Sequence, residues 1–147
     1  MNELILKCGG MLGGHKFKAY LPGGASGGIL PSTKGDIPLD FGGELAKYGC
    51  FVGSHAIVIL SDKDNLADVA LNLMAFFKHE SCGQCTPCRN GTEKIINLIK
   101  NKSKWDKDLL YDISEVMANA SICGLGQAAS NPILSVLKFF PKDVGVK

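Results

Sequence analysis

Four cysteines in this sequence have the types and spacing to bind metal. Cys82-Gly-Gln-Cys85-Thr-Pro-Cys88 is a C-x2-C-x2-C run, and Cys123 follows 35 residues later. Two intervening residues let neighbouring thiolates converge on one centre from a single turn of chain. Three closely spaced ligands plus one remote ligand is a common way to hold a [4Fe–4S] cluster. The bacterial ferredoxin run differs, because its fourth cysteine follows three residues later and precedes a proline. Here Pro87 precedes the third cysteine, and no second cluster motif exists. Zinc is one alternative, although four-cysteine zinc sites normally use paired C-x2-C units and Cys123 stands alone. Disulfides are another, and they are rare in the cytosol. The start MNELILKCGG lacks a secretory h-region and cleavage site, which predicts a cytoplasmic chain whose thiols stay reduced.

The elements around the cysteines must bring Cys123 back to the other three. From Asp62 onward the apolar period is helical. Leu66, Val69, Ala70, Leu73, Phe76 and Phe77 predict a helix over 65–79, with N-cap candidates in Ser61 to Asp64. A second helix opens near Thr86 with Pro87 in its first turn, carries Ile95, Ile96, Leu98 and Ile99, and frays at Asn101-Lys102-Ser103. A third runs over 106–120 with Leu109, Leu110, Ile113, Val116 and Met117 on one face, and a fourth starts near Asn131-Pro132. The second and third are roughly 24 and 22 Å long at about 1.5 Å per residue. Joined by a short 102–105 connection they run antiparallel, so the chain leaves Cys88, travels out and returns level with it at Cys123.

Residues 1 to about 60 read differently. They hold 13 of the 18 glycines and three of the six prolines. Short apolar runs at Leu4-Ile5-Leu6, Phe17 to Leu21 and Ala56 to Leu60 alternate with turn signals, the last suiting a buried strand. The expected fold class is therefore α+β: a small β-rich module over 1–61, then a four-helix domain over 62–147 that holds the cluster. Pro22-Gly-Gly-Ala-Ser-Gly-Gly28 lacks both the Gly-Lys-Ser/Thr ending of a P-loop and a following helix, so it reads as a strand-to-strand turn. Cys8 and Cys50 have no partner at ligand spacing and read as small buried hydrophobes. His79, three residues before Cys82, reads as a surface or supporting residue because four thiolates already suffice. Arg89 is open between a solvated residue and one that stabilises a more negative cluster. Gly83, Gly124 and Gly126 are open between turn geometry and close approach of backbone N–H groups to cluster sulfurs. The Phe76-Phe77 and Phe139-Phe140 pairs fit helix cores.

Composition narrows the classes further. The net charge of +2, from 16 Lys and Arg interleaved with 14 Asp and Glu, gives no nucleic-acid footprint. A 46% hydrophobic and 20% charged chain is ordinary for a globular protein. No stretch approaches the ~18 apolar residues of a membrane span, so no direct membrane insertion is expected.

Glu80-Ser-Cys-Gly-Gln-Cys-Thr-Pro-Cys-Arg-Asn-Gly91, together with Ser121-Ile-Cys-Gly-Leu-Gly-Gln127, closely resembles the C-terminal cluster domain of the NADH-binding flavoprotein subunit of respiratory complex I. That module also occurs in soluble NAD-linked hydrogenases and formate dehydrogenases, which the 124–132 stretch resembles more than the respiratory version. The first half resembles the soluble-ligand-binding (SLBB) β-grasp domain that precedes it in the family, through Lys18 to Pro31, Pro38-Leu-Asp-Phe41 and Gly49 to Ser54. The resemblance implies that Cys82, Cys85, Cys88 and Cys123 ligate a [4Fe–4S] cluster. That cluster would relay single electrons from a reduced flavin to further iron–sulfur centres. The implied partners are a flavin- and NADH-binding domain or chain and other iron–sulfur subunits, on a cytoplasmic complex or one peripheral to a membrane.

The family's FMN- and NAD(H)-binding domain is missing from this sequence, and the β-grasp module is expected to lack its first strand. FMN and NAD(H) thus belong to a longer parent or a partner chain, with Met1 either internal to that parent or the start of a truncated frame. No catalytic residue is assigned, since outer-sphere electron transfer needs no general base or nucleophile. A non-redox docking module stapled by a cluster or zinc, and an inactive fragment, are the competing readings.

Overall fold

A computed structural model of the chain describes residues 1–100 and 104–146. The expected fraying of the second helix at Asn101-Lys102-Ser103 lies outside the described residues. The chain divides into two compact units, Met1–Asp64 and Asn65–Lys147. It is mixed α and β, with a small three-stranded sheet and several helices.

In the first unit, strands β1 (Phe17–Leu21), β2 (Leu30–Pro31) and β3 (Val58–Ser61) form an antiparallel sheet in the order β2-β1-β3. Tyr20 pairs with Leu30 on one side and with Ile59 on the other. The central strand buries Ala19, Tyr20 and Leu21, which join Ile29, Leu30 and Leu45 in the core. The glycine-rich stretch does connect two antiparallel strands, but close packing constrains it as much as turning does. A Cβ at Gly23 would lie 1.9 Å from the Val52 carbonyl oxygen, and one at Gly27 would lie 2.7 Å from that of Phe51. The stretch is laced to residues 51–56 by Phe51 N–H to Gly27 O (3.2 Å), Ser54 N–H to Gly23 O (3.2 Å) and Gly24 N–H to Ala56 O (2.7 Å).

Three expectations for this unit need correction. Leu4-Ile5-Leu6 lies in a short helix, α1 (Asn2–Lys7), not in a strand. A three-residue apolar run carries no period, and Glu3 and Lys7 sit where they complement a helix dipole. The Ala56–Leu60 run is not wholly buried, because β3 is an edge strand: Ile57 and Val58 remain exposed while Leu60 is buried. Cys50 is buried as expected, but Cys8, just beyond α1, is exposed.

In the second unit, α2 (Leu66–Glu80), α3 (Thr86–Ile99), α4 (Lys107–Ala120) and α6 (Asn131–Phe139) fall near their expected positions. A short helix between the last two, α5 (Gly124–Ala128), is not foreshadowed by the apolar pattern. Helix α2 packs on α3 and α6, α3 on α4 and α5, and α4 on α5 and α6. The N-cap of α2 is Asn65, whose side-chain oxygen accepts from Ala67 N–H (2.9 Å) and Asp68 N–H (3.3 Å), and not a residue of 61–64. Asp64 is engaged elsewhere, accepting from Ser61 N–H (2.6 Å) and Ser61 O–H (2.9 Å). The buried stripe of α2 is Leu66, Ala67, Ala70, Met74 and Phe77. Phe76 lies outside that stripe and is exposed, against expectation. Ile95 and Ile99 of α3, Leu110 and Met117 of α4, and Ile133 and Val136 of α6 complete the core. Among the described residues no helix is long and apolar enough to cross a membrane.

Candidate metal centre

Two loops carry the four cysteines, and the helix termini fix both. Helix α2 ends at Glu80, and its C-cap Ser81 turns extended, which stops the helix one residue before Cys82. Gly83 then takes φ +74°, the left-handed region where a side chain is strained. Cys85 is the N-cap of α3, with Pro87 in the first turn, and Cys88 lies one turn in, buried. On the other side α4 ends at Ala120, its C-cap Ser121 turns extended in the same way, and Cys123 becomes the N-cap of α5.

These termini bring Cys82, Cys85, Cys88 and Cys123 to the wall of one cavity of about 410 Å³, with Ile122 and Leu125 beside them. Cys88 is buried, Cys85 is half-buried, and Cys82 and Cys123 are exposed, so the cavity opens toward the last two. The loops are tied across it. Backbone N–H donation from Ile122 of the opposite loop, then from Cys88, holds the Cys85 thiol below its usual 9.0. Each donor favours the thiolate, the form that ligates metal.

Further hydrogen bonds hold each loop to its own helix. The Ser81 hydroxyl accepts from Gly83 N–H and lies 3.3 Å from Cys88 Sγ. Arg89 donates to the Gly83 carbonyl, so its guanidinium braces the Cys82–Cys85 loop. Thr92 Oγ1 donates to the Cys88 carbonyl at 2.9 Å, and Gln127 Nε2 donates to the Ser121 carbonyl at 3.1 Å. Ser121 Oγ is buried with no hydrogen-bond partner among the described residues. Gly126 lies in α5, where a Cβ would be 2.5 Å from Ser121 Oγ and 2.9 Å from Cys88 Cβ, so its lack of a side chain is a packing requirement. Gly124 meets nothing within 4 Å.

An all-sulfur donor set suits soft-metal and iron–sulfur chemistry. Among the described residues no group of three Cys, His, Asp or Glu side chains is placed to hold a metal ion. The four thiols line one cavity, and their all-sulfur chemistry fits an iron–sulfur group. His79 is highly exposed, lies 4.0 Å from the Glu80 carboxylate and does not line the cavity. Cys8 and Cys50 belong to the first unit. A larger apolar cavity of about 620 Å³ also lies in that unit, but Cys8 is the one thiol in its wall. The positions of Ser81, Ser121 and Ile122 beside the cysteines escape a reading of the sequence, where the available signal was a serine one or two residues ahead of each cysteine-bearing loop.

The fold and this cavity define a small mixed α and β chain with four cysteines lining one site. Residues 68–147 match the family model described as the NADH-ubiquinone oxidoreductase-F iron-sulfur binding region, and the chain belongs to that family. An NADH-quinone oxidoreductase subunit of Mycobacterium tuberculosis is 37% identical over 145 residues, covering 95% of this chain and 32% of the relative. The NADP-reducing hydrogenase subunit HndC of Solidesulfovibrio fructosivorans is 35% identical over 97% of this chain and 30% of its own length. The chain thus spans about a third of the curated relatives it matches. Among solved structures, an NAD+-reducing [NiFe]-hydrogenase in the air-oxidized state superposes with a TM-score of 0.80 at 27% identity, covering 97% of this chain and 25% of that one.

Proposed function

We propose that the chain is an electron-relay module in which Cys82, Cys85, Cys88 and Cys123 ligate one [4Fe–4S] cluster. The observation that carries this reading is the meeting of all four thiols, from two separate loops, on a single cavity. When bound, the cluster supplies reversible one-electron chemistry. The protein's own part is positional. Backbone N–H groups of Ile122 and Cys88 neutralise charge on Cys85, Arg89 and Gln127 hold the loops, and buried Cys88 anchors the inner side. The exposed Cys82 and Cys123, with Ile122 beside Cys123 and 78% exposed, form the side that redox partners approach.

The relay would run between a flavin and further iron–sulfur centres of an NAD(P)H-linked oxidoreductase. FMN and NAD(H) would be bound by a longer parent or by a partner chain, and the assembly would be cytoplasmic. Residues 1–61 would form an SLBB-like β-grasp module and 62–147 a four-helix cluster domain. The test is anaerobic reconstitution of single Cys→Ser variants with iron and sulfide. Cys82→Ser, Cys85→Ser, Cys88→Ser and Cys123→Ser should each lose most of the bound iron, while Cys8→Ser should keep it. Full loading of two or more of the four variants would overturn the assignment.

A further inference from the structure

Two serines end the two helices that deliver the ligand loops. Ser81 caps α2 and Ser121 caps α4, both with extended backbone (φ −66°, ψ 126° and φ −74°, ψ 142°). Each therefore ends its helix and begins a cysteine-bearing loop. Ser81 Oγ lies 3.3 Å from Cys88 Sγ. Its acceptor capacity is engaged by Gly83 N–H at 3.3 Å, which leaves its O–H to donate to the sulfur.

Ser121 is the more telling of the two. It is only 6% exposed, and its hydroxyl has no partner of ordinary geometry. A buried hydroxyl without a partner loses roughly 1–3 kcal/mol of hydration that nothing returns. Its position is nonetheless strictly held. The Ser121 carbonyl accepts from Gln127 Nε2 at 3.1 Å, and the absence of a side chain at Gly126 makes room for Ser121 Oγ beside Cys88. A neutral thiol is a weak acceptor, whereas a metal-bound thiolate carries charge and is a much stronger one. The orphaned hydroxyl, packed beside Cys88, gains an acceptor once the thiols around it are ligands.

We infer that Ser81 and Ser121, both packed against Cys88, donate O–H hydrogen bonds to thiolates of the bound cluster and so raise its reduction potential. Reduction adds one negative charge that spreads onto the sulfurs, so a donor to sulfur strengthens on reduction and favours the reduced state. The serines are positioning residues for the electron and take no proton. This inference rests on the cluster reading above.

The test is a redox titration of the full chain, reconstituted anaerobically and followed by EPR. Ser121→Ala should shift the midpoint negative, lowering the reduced-to-oxidised ratio at a fixed potential by roughly tenfold, equivalent to about 59 mV for one electron. Ser81→Ala should move it the same way, and Ser121→Thr, which keeps the hydroxyl, should stay at the wild-type midpoint. An Ala variant at either position that loads iron and keeps the wild-type midpoint overturns the inference. If Ser121→Ala fails to load, Ser121→Thr decides: a wild-type midpoint supports the role, and a negative shift refutes it. If the wild-type chain itself gives no reversible one-electron signal, the relay reading fails instead.

Discussion

Gly126 is the position where a single added carbon should undo the site. Its Cβ in Gly126→Ala would lie 2.5 Å from Ser121 Oγ, 2.6 Å from Ser121 Cβ and 2.9 Å from Cys88 Cβ. Ordinary carbon contacts are about 3.5–4.0 Å, so the Ser121 loop and Cys88 must move by about 1 Å together. Neither neighbour is the free end of a long side chain, so relaxation is limited. Overpacking of this kind costs about 1–3 kcal/mol. Alanine returns up to ~1 kcal/mol of helix propensity over glycine. The net expectation is a loss of roughly 0–2 kcal/mol, up to about 15 °C of unfolding midpoint in a unit of this size, with the fall in iron loading the sharper readout. The assay is internal to the fold. Trp105 is the sole tryptophan, is buried and lies in the second unit, so its fluorescence follows that unit alone. Iron per chain after reconstitution gives the second readout and should fall with the displaced Cys88. Gly124→Ala is the matched control, in the same short helix with nothing within 4 Å, and should stay within about 0.5 kcal/mol of wild type. Wild-type stability and iron loading in Gly126→Ala would refute the close-packed arrangement of the ligand loops.

Three further outcomes follow from the same reasoning. Asn65→Ala removes the acceptor of two N–H groups at the start of α2 and should lower stability by about 1 kcal/mol, read by Trp105 fluorescence. Gly91→Ala places a Cβ 2.5 Å from Met117 Cγ and Sδ. The methionine can swing aside, so strain and gained propensity should cancel to within about 1 kcal/mol, and a loss above about 2 kcal/mol would contradict this. The Asp64 carboxyl is held below 3.8, chiefly by the Ser61 N–H and then by the Ser61 hydroxyl. Because its folded value is lowered, its contribution to the first unit is complete above the unfolded value and fades as pH falls through the folded one. The Ser61 amide resonance should titrate with a midpoint below 3.8, and a midpoint at or above 3.8 would remove that contribution.

Much of the helical half could be read from the residues because long periodic segments declare themselves. Pro87 after Cys85 marks the start of α3, and the apolar spacing around Leu66 to Phe77 marks α2. The finer placement was not legible. Phe76 and Phe77 are equally apolar, and packing of α2 against its neighbours chose Phe77 alone for the core. Ser61 to Asn65 is five consecutive residues, four of them able to cap, and the choice fell to Asn65 because Asp64 is engaged by Ser61. Helix α5 is five residues with two glycines, too short to show a period and too glycine-rich to score as helical. The three closely spaced thiols were legible from sequence, and matched helix lengths predicted the return of Cys123. The serine caps and the Ile122 amide were not, because their roles arise where two distant loops meet.

The central claim is that four thiols hold a cluster that cycles by one electron. The most direct measurement is anaerobic reconstitution of the full chain, with iron and sulfide counted per chain and reversible reduction followed by EPR. The expected result is a brown protein with a broad band near ~400 nm, about four irons and four sulfides per chain, and a signal that appears on reduction and disappears on reoxidation. A colourless chain that takes up one zinc, or an iron centre that does not cycle, would contradict it.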